Sequence, residues 1–146
     1  MSQGSVKLNK KRFIVLSQYL KDLSFENYAA QINKFDKSKL SFQIDMNIAH
    51  KDINIDVIET TLTFFLEANI KKEKQFVIEL TYSTVFKFEA LQNQEEKKKM
   101  AFTDCPSTMF PFLRQIVFNI SRDSGFPPVN LDYIDFQDVF IKNFHS

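Results

Sequence analysis

Alternation of apolar and polar residues dominates the first two thirds of the chain. From Leu40 to Ile48, the side chains of Leu40, Phe42, Ile44, Met46 and Ile48 fall on one side, and Ser41, Gln43, Asp45 and Asn47 on the other. A period of two is that of a strand with one wet face. The pattern returns in Val57–Ile70, where Ile58, Leu62, Phe64, Leu66 and Ala68 oppose Glu59, Thr61, Thr63 and Glu67. It returns again in Phe76–Glu89, where Phe76, Ile78, Leu80, Tyr82, Phe86 and Phe88 oppose Glu79, Thr81, Ser83 and Lys87. Phe13–Glu26 is extended in pattern and supplies a fourth strand. Lys71–Gln75 is a charged turn. The polar stretch Asn27–Lys39 is too long for a hairpin turn, so it is expected to cross over or cover something. Residues 1–12 read as a flexible segment ahead of a single domain over 13–144.

After Glu89 the period changes. Leu91–Ala101 (LQNQEEKKKMA) reads as a solvated, charged loop. Pro106 suits a first helical turn, and Met109, Leu113, Ile116, Val117 and Ile120 then recur at helical spacing. Phe110, Phe112 and Phe118 fill the other flank, Pro111 is expected to kink the helix, and Gly125 to end it. A proline-containing link, Phe126–Tyr133, leads to Asp135, which caps a short last helix with Phe136, Phe140 and Phe144 on one stripe. The fold class is α+β: a four-stranded antiparallel sheet packed on two helices. The first helix is apolar nearly all round, more than one sheet can bury. Its outer face is therefore expected to be a subunit contact, and the chain a homo-oligomer.

Composition sharpens this picture in one respect. The 146 residues include 17 Phe and no Trp, an excess of apolar aromatic area for a single domain of 17.2 kDa. A net charge of +1 gives no field that would favour nucleic acid. The basic clusters Lys10–Arg12, Lys71–Lys74 and Lys97–Lys99 read as solubilising segments. Catalytic and metal chemistry find little to work with. The two histidines, His50 and His145, lack partners at metal or dyad spacing, and two glycines cannot build a phosphate loop. Cys105 precedes a helix, but no base is placed beside it, and it reads as a buried structural thiol. No apolar run is long enough to span a bilayer and no export segment is visible, so a cytoplasmic protein without cofactor or metal is expected.

Three strings carry a more specific signal: YLKDLSFEN at Tyr19–Asn27, CPSTMFPFLR at Cys105–Arg114 and GFPPVNLDYIDF at Gly125–Phe136. In this order and spacing the chain resembles the SecB family of bacterial protein-export chaperones, from about Phe13 to Phe144. The resemblance implies a dimer of dimers that uses no nucleotide, holds unfolded preproteins and hands them to the SecA motor of the Sec translocase. On this reading the subunit contacts are expected at Phe13, Val15, Met109, Phe110, Leu113, Val117 and Phe118.

The resemblance also implies two functional surfaces. The SecA contact falls on Asp22, Glu26 and Glu79, with Val77 beside Glu79. Asp22 and Glu26 have the same parity in a strand, so both point one way roughly 13 Å apart. The client groove falls on Leu40, Phe42 and Ile44 with Phe136, Phe140 and Phe144, and with Phe25, Tyr28 and Phe35 as lips. The chain departs from the family in its net charge of +1 and in ending at Phe144-His145-Ser146 without an acidic tail. Its crossover, Asn27–Lys39, contains neither proline nor tryptophan. Two other readings stay open: a SecB-like chaperone dedicated to one antitoxin, and a carrier of a small apolar ligand in a Phe-lined cavity.

Overall fold

The computed structural model describes residues 2–5, 12–29, 40–91 and 93–144. Among them the strands are β1 (Phe13–Asn27), β2 (Ser41–Asp52), β3 (Val57–Ile70) and β4 (Glu73–Phe88). The helices are α1 (Gln94–Phe102), α2 (Asp104–Asp123) and α3 (Phe136–Phe144). The sheet is antiparallel in the order β1-β4-β3-β2, so the first strand closes one edge and the second the other. The expected α+β sheet is therefore present, and so are the two expected helices.

Alternation sets which face is buried. Ile58, Leu62, Leu66, Phe76, Ile78 and Phe86 are fully buried on the inner face of β3 and β4, and α2 packs beneath these two strands. Met109, Leu113 and Val117 of α2 have no exposed surface, and Phe110 is buried against Phe136 of α3. This corrects the expectation that Met109, Phe110, Leu113 and Val117 contact another subunit. They are the stripe that α2 turns toward its own sheet. Val15 is exposed, and Phe118 and Phe13 are half-buried, Phe13 edge-on to Phe86 and Phe88.

The stretch read as a charged loop is a helix. Asn93 Oδ1 accepts the Glu96 amide at 2.8 Å, a cap that lets the helix-forming run after it start. Lys97, Met100 and Ala101 are buried on one stripe of α1. Lys97 Nζ pairs with Asp52 at 3.1 Å and donates to the Ile55 carbonyl at 3.3 Å, tying the helix to the β2–β3 turn.

Gly125 ends α2 as its sequence implied. At φ +92° it lets the Gly125 and Phe126 amides reach back to the Arg122 and Ser121 carbonyls. Pro111 lies inside the helix without ending it. It is exposed, as is Ser107, whose carbonyl loses its partner there and can meet water.

The β3–β4 turn carries strain. Lys71 and Lys72, between the paired Ile70 and Glu73, have φ of 50° and 68°. Two positive φ values in a two-residue hairpin loop suit Asn-Gly far better than two lysines. Replacing Lys71→Asn together with Lys72→Gly is expected to raise stability by about 1–2 kcal/mol. In a urea titration the midpoint moves up and the slope stays unchanged; an unmoved or lowered midpoint contradicts the strain.

Candidate functional site

The inner face of β2 is apolar, as its alternation requires, yet the helices leave much of it uncovered. Phe42 and Ile44 are 45% and 46% exposed, while Leu40, Met46 and Ile48 are half-buried against the core. Two cavities lie beneath this face. The first, of about 230 Å³, is lined by Ile44, Met46, Phe64, Phe110, Leu131 and Tyr133 among others. The second, of about 240 Å³, is lined by Met46, Ile48, Phe102, Val139, Phe140 and Asn143. Met46 borders both, so the two adjoin as a furrow under the sheet's edge, apolar at the Ile44 end and mixed where Asn47 and Asn143 line it.

The link after α2 floors the Ile44 end of the furrow through Leu131 and Ile134, while Phe102 of α1 and Phe140 of α3 line the other end. Phe126, Val129 and Leu131 are buried, and Phe126 packs on Phe76 with ring centroids 4.4 Å apart. Ser121 fixes the link's course: its hydroxyl donates to the Val117 carbonyl and accepts the Val129 amide at 2.9 Å. Asp135 Oδ1 then accepts the Asp138 amide at 3.2 Å and starts α3. Tyr133 stands 83% exposed at the mouth.

The residues expected in the groove divide into groups. Ile44 and Phe140 line the furrow, and Phe42 and Leu40 continue the same face of the chain beyond it. Phe136 is 2% exposed and belongs to the core. Phe25 is on β1, and its row across the sheet runs Phe25, Ile78, Leu66, Ile44. It is therefore three strands from Ile44, stacked on Phe76 instead. Tyr28 is exposed beside β1's end, its hydroxyl donating to Glu26 and its ring under Lys74. The structure thus does not bring Phe25 and Tyr28 to the furrow. Phe35 and most of the Asn27–Lys39 crossover lie outside the described residues, as does the side chain of Phe144.

The opposite face of the sheet is polar. Strand pairing sets Asp22 opposite Thr81, Ser24 opposite Glu79 and Glu26 opposite Val77. A bulge between Leu20 and Asp22 precedes both acids and leaves their shared parity intact. Asp22, Glu26, Val77 and Glu79 therefore stand together on one solvent face of two adjacent strands. Asp45 and Phe65 extend the Glu79 row toward β2, and Gln43 and Glu67 extend the Val77 row. Glu67 pairs with Lys74 at 3.5 Å. The sequence reading missed Ser121, Met46, Phe102, Tyr133 and Phe65. The adjacent Phe64 and Phe65 were the one visible signal that an aromatic also faces outward.

Cys105 is buried, and among the described residues no cluster of His, Cys, Asp or Glu could hold a metal ion. No described helix is long and apolar enough to cross a membrane.

The sequence model of the family described as "Preprotein translocase subunit SecB" matches residues 7–146. The chain belongs to the SecB family. Curated relatives agree. It is 37% identical over 131 residues to "Protein-export protein SecB" of Bartonella quintana, covering 89% of this chain and 82% of that one. It is 35% identical over 144 residues to the protein of the same name from Bartonella bacilliformis, covering 96% and 90%. In structure it is similar to a SecB-like chaperone of Mycobacterium tuberculosis in complex with a ChAD peptide from an antitoxin, with a TM-score of 0.71. That match covers 84% of this chain and 91% of the other at 15% identity, a likeness of fold alone. SecB proteins are a protein-export family and not an enzyme class, and the furrow and acidic face lie on a SecB fold.

Burial pushes the Cys105 thiol far above its ordinary pKa, and the nearby Asp104 carboxylate adds to the rise. A folded-state pKa above the unfolded value contributes stability that is whole below the unfolded value of 9.0 and fades as pH rises beyond it. The stability advantage of the wild type over Cys105→Ala should shrink by up to about 1.4 kcal/mol per pH unit above that point. Urea titrations at about pH 8 and pH 10 measure it, and a constant difference would contradict a buried neutral thiol.

Proposed function

We propose that this chain is a holding chaperone of protein export, which binds unfolded preproteins in the furrow under β2 and passes them to the SecA motor through the acidic sheet face. The observation that carries the reading is the separation of the two surfaces. Period two puts Phe42 and Ile44 on one face of the sheet and Asp22, Glu26 and Glu79 on the other. A client and a motor can then be held at once.

Each surface suits its partner. An unfolded chain presents apolar side chains in no fixed order, so a receptor has to bury area without demanding a pattern. Burial contributes roughly 25 cal/mol per Å² of apolar surface, and several furrows in one assembly add avidity. The carboxylates of the opposite face are exposed, and no ion pair joins Asp22, Glu26 or Glu79 to another described residue. Such groups steer a basic partner at a rate that falls with salt. The relatives at 35–37% identity are named for protein export, which favours general export over service to one antitoxin. The furrow's open mouth suits an extended polypeptide better than an enclosed small ligand.

Assembly into a dimer of dimers is part of the proposal. The inner face of β1 extends past α2: Val15, Leu20 and Leu23 are 44%, 42% and 37% exposed. Leu20 pairs with Tyr82, whose ring stacks on the half-exposed Phe112 of α2, so the apolar surface runs unbroken from strand to helix. Val15, Leu20, Leu23, Phe112 and Phe118 thus take the place of the buried stripe as the contact set.

Phe42→Asp with Ile44→Asp should cut suppression of aggregation of a reduced, unfolded client by roughly tenfold, without ATP and without loss of fold. Asp22→Lys with Glu79→Lys should abolish SecA binding and leave that suppression intact. Loss of both activities in either variant would contradict the division of labour. Sedimentation should give about four times the chain mass of 17.2 kDa, and a Leu20→Asp, Phe112→Asp variant a smaller species. A wild-type monomer at micromolar concentration would contradict assembly.

A further inference from the structure

Alternation sends an aromatic ring to the polar face of the sheet. Phe64 is 2% exposed in the core, so Phe65 points the other way, where it is half-buried. Tyr19, which shares that face, is tied through its hydroxyl to Glu59 at 2.5 Å. Phe65 has no ring or cation partner among the described residues. Pairing sets Glu79 of β4 beside it on one side and Asp45 of β2 on the other. Both carboxylates are exposed, and neither joins a cation among the described residues.

The surroundings repeat the sign. The row of Phe65 across the sheet runs Ser24, Glu79, Phe65, Asp45. The rows on either side run Asp22, Thr81, Thr63, Asn47 and Glu26, Val77, Glu67, Gln43. Together the three rows hold five carboxylates and no lysine or arginine. Lys74 already pairs with Glu67, and Lys21 sits in the β1 bulge, two strands from Phe65. The face of a phenyl ring is itself electronegative, so the ring and the acids call for the same thing, a cation with a flat surface. A guanidinium lying on the ring directs its N–H groups sideways, in its own plane, toward carboxylates on both flanks. Strands about 4.8 Å apart bring those flanks within reach. An ammonium is compact and strongly hydrated and does not match this layout.

Resting on the motor contact proposed above, we infer that Phe65, Glu79 and Asp45 form a seat for an arginine side chain of the partner that docks on the acidic face. The guanidinium stacks on Phe65 and donates to the carboxylates beside it. Charges spread over a face attract any basic segment, whereas a ring between two acids selects one residue type and fixes where the partner sits. The contact then reaches beyond β1 and β4, through Phe65 on β3 to Asp45 on β2.

Calorimetric titration of SecA into three variants tests this. Phe65→Leu keeps apolar bulk and removes the π face, and should weaken SecA binding by roughly five- to tenfold. Phe65→Tyr keeps the ring and should stay within about twofold of the wild type. Asp45→Asn should weaken binding by roughly threefold in the wild-type background and by clearly less beside Phe65→Leu. Suppression of client aggregation should be unchanged in all of them. On the unaltered chain, the capped peptide Gly-Arg-Gly-Arg-Gly should bind more tightly than its lysine counterpart and shift the ring-proton resonances of Phe65. The seat is overturned if Phe65→Leu binds SecA as the wild type does, if Phe65→Tyr loses as much affinity as Phe65→Leu, or if the arginine peptide has no advantage. In each of those cases the motor contact stands as long as Asp22→Lys with Glu79→Lys abolishes SecA binding. If that variant binds SecA as well as the wild type, the motor contact falls and the seat with it.

Discussion

A four-stranded sheet is wider than the helix that covers it, and the rest of the structure follows from that mismatch. Strands lie about 4.8 Å apart, so β1 to β2 spans roughly 14 Å between strand axes, while a helix with its side chains is about 10–12 Å across. One long helix therefore covers two strands well. α2 sits under β3 and β4, the central pair, and the apolar inner faces of the two edge strands are left over. On the proposed reading, the surplus at β1 serves another subunit and the surplus at β2 a client. Neither surface needed special residues, only an alternation kept up beyond what one helix could bury.

The short helices and the link divide the two surpluses unequally. α1 is held to the β2–β3 turn by buried Lys97, and α3 buries Phe136 and Phe140 beside it, so the β2 side acquires walls and becomes a furrow. The β1 side gains no such walls and stays broad. A broad apolar face suits a fixed partner of matching shape; a walled furrow suits partners that offer only an extended apolar segment. The Ser121 hydroxyl matters here because it commits the link to run as the furrow's floor, and without its bond to Val129 the link's buried amide would lack a partner.

The strands were legible because period two is a strong signal over 12 to 16 residues, and the observed bounds differ from the sequence reading by a few residues at most. α1 was not. Its run of charge hid a stripe of only three buried residues, and one of those is a lysine, which no hydropathy pattern would place inside. The Asn93 cap with Glu96 three residues later was the available clue. Met109, Phe110, Leu113 and Val117 were misplaced at the interface for a different reason. Met109, Leu113 and Val117 mark a buried stripe by their spacing, but spacing does not say what buries it. Phe25 and Phe42 likewise read alike in sequence, and only the order β1-β4-β3-β2 shows that they lie on opposite edges.

The acidic face shows what pairing adds to sequence. Asp22 and Glu79 are far apart along the chain and become a surface only because β1 pairs with β4, with Ser24 set opposite Glu79. The same pairing places Leu23 and Phe25 on the reverse side, within the thickness of a single strand. On β1 an acidic surface and an apolar one are thus separated by a backbone and nothing more. On the function proposed above, the client furrow lies at the opposite edge under β2, so a motor on the acidic face would approach without touching a bound client. On that reading, release would have to come from competition for the client or from distortion of the sheet, because the acidic residues do not line the furrow.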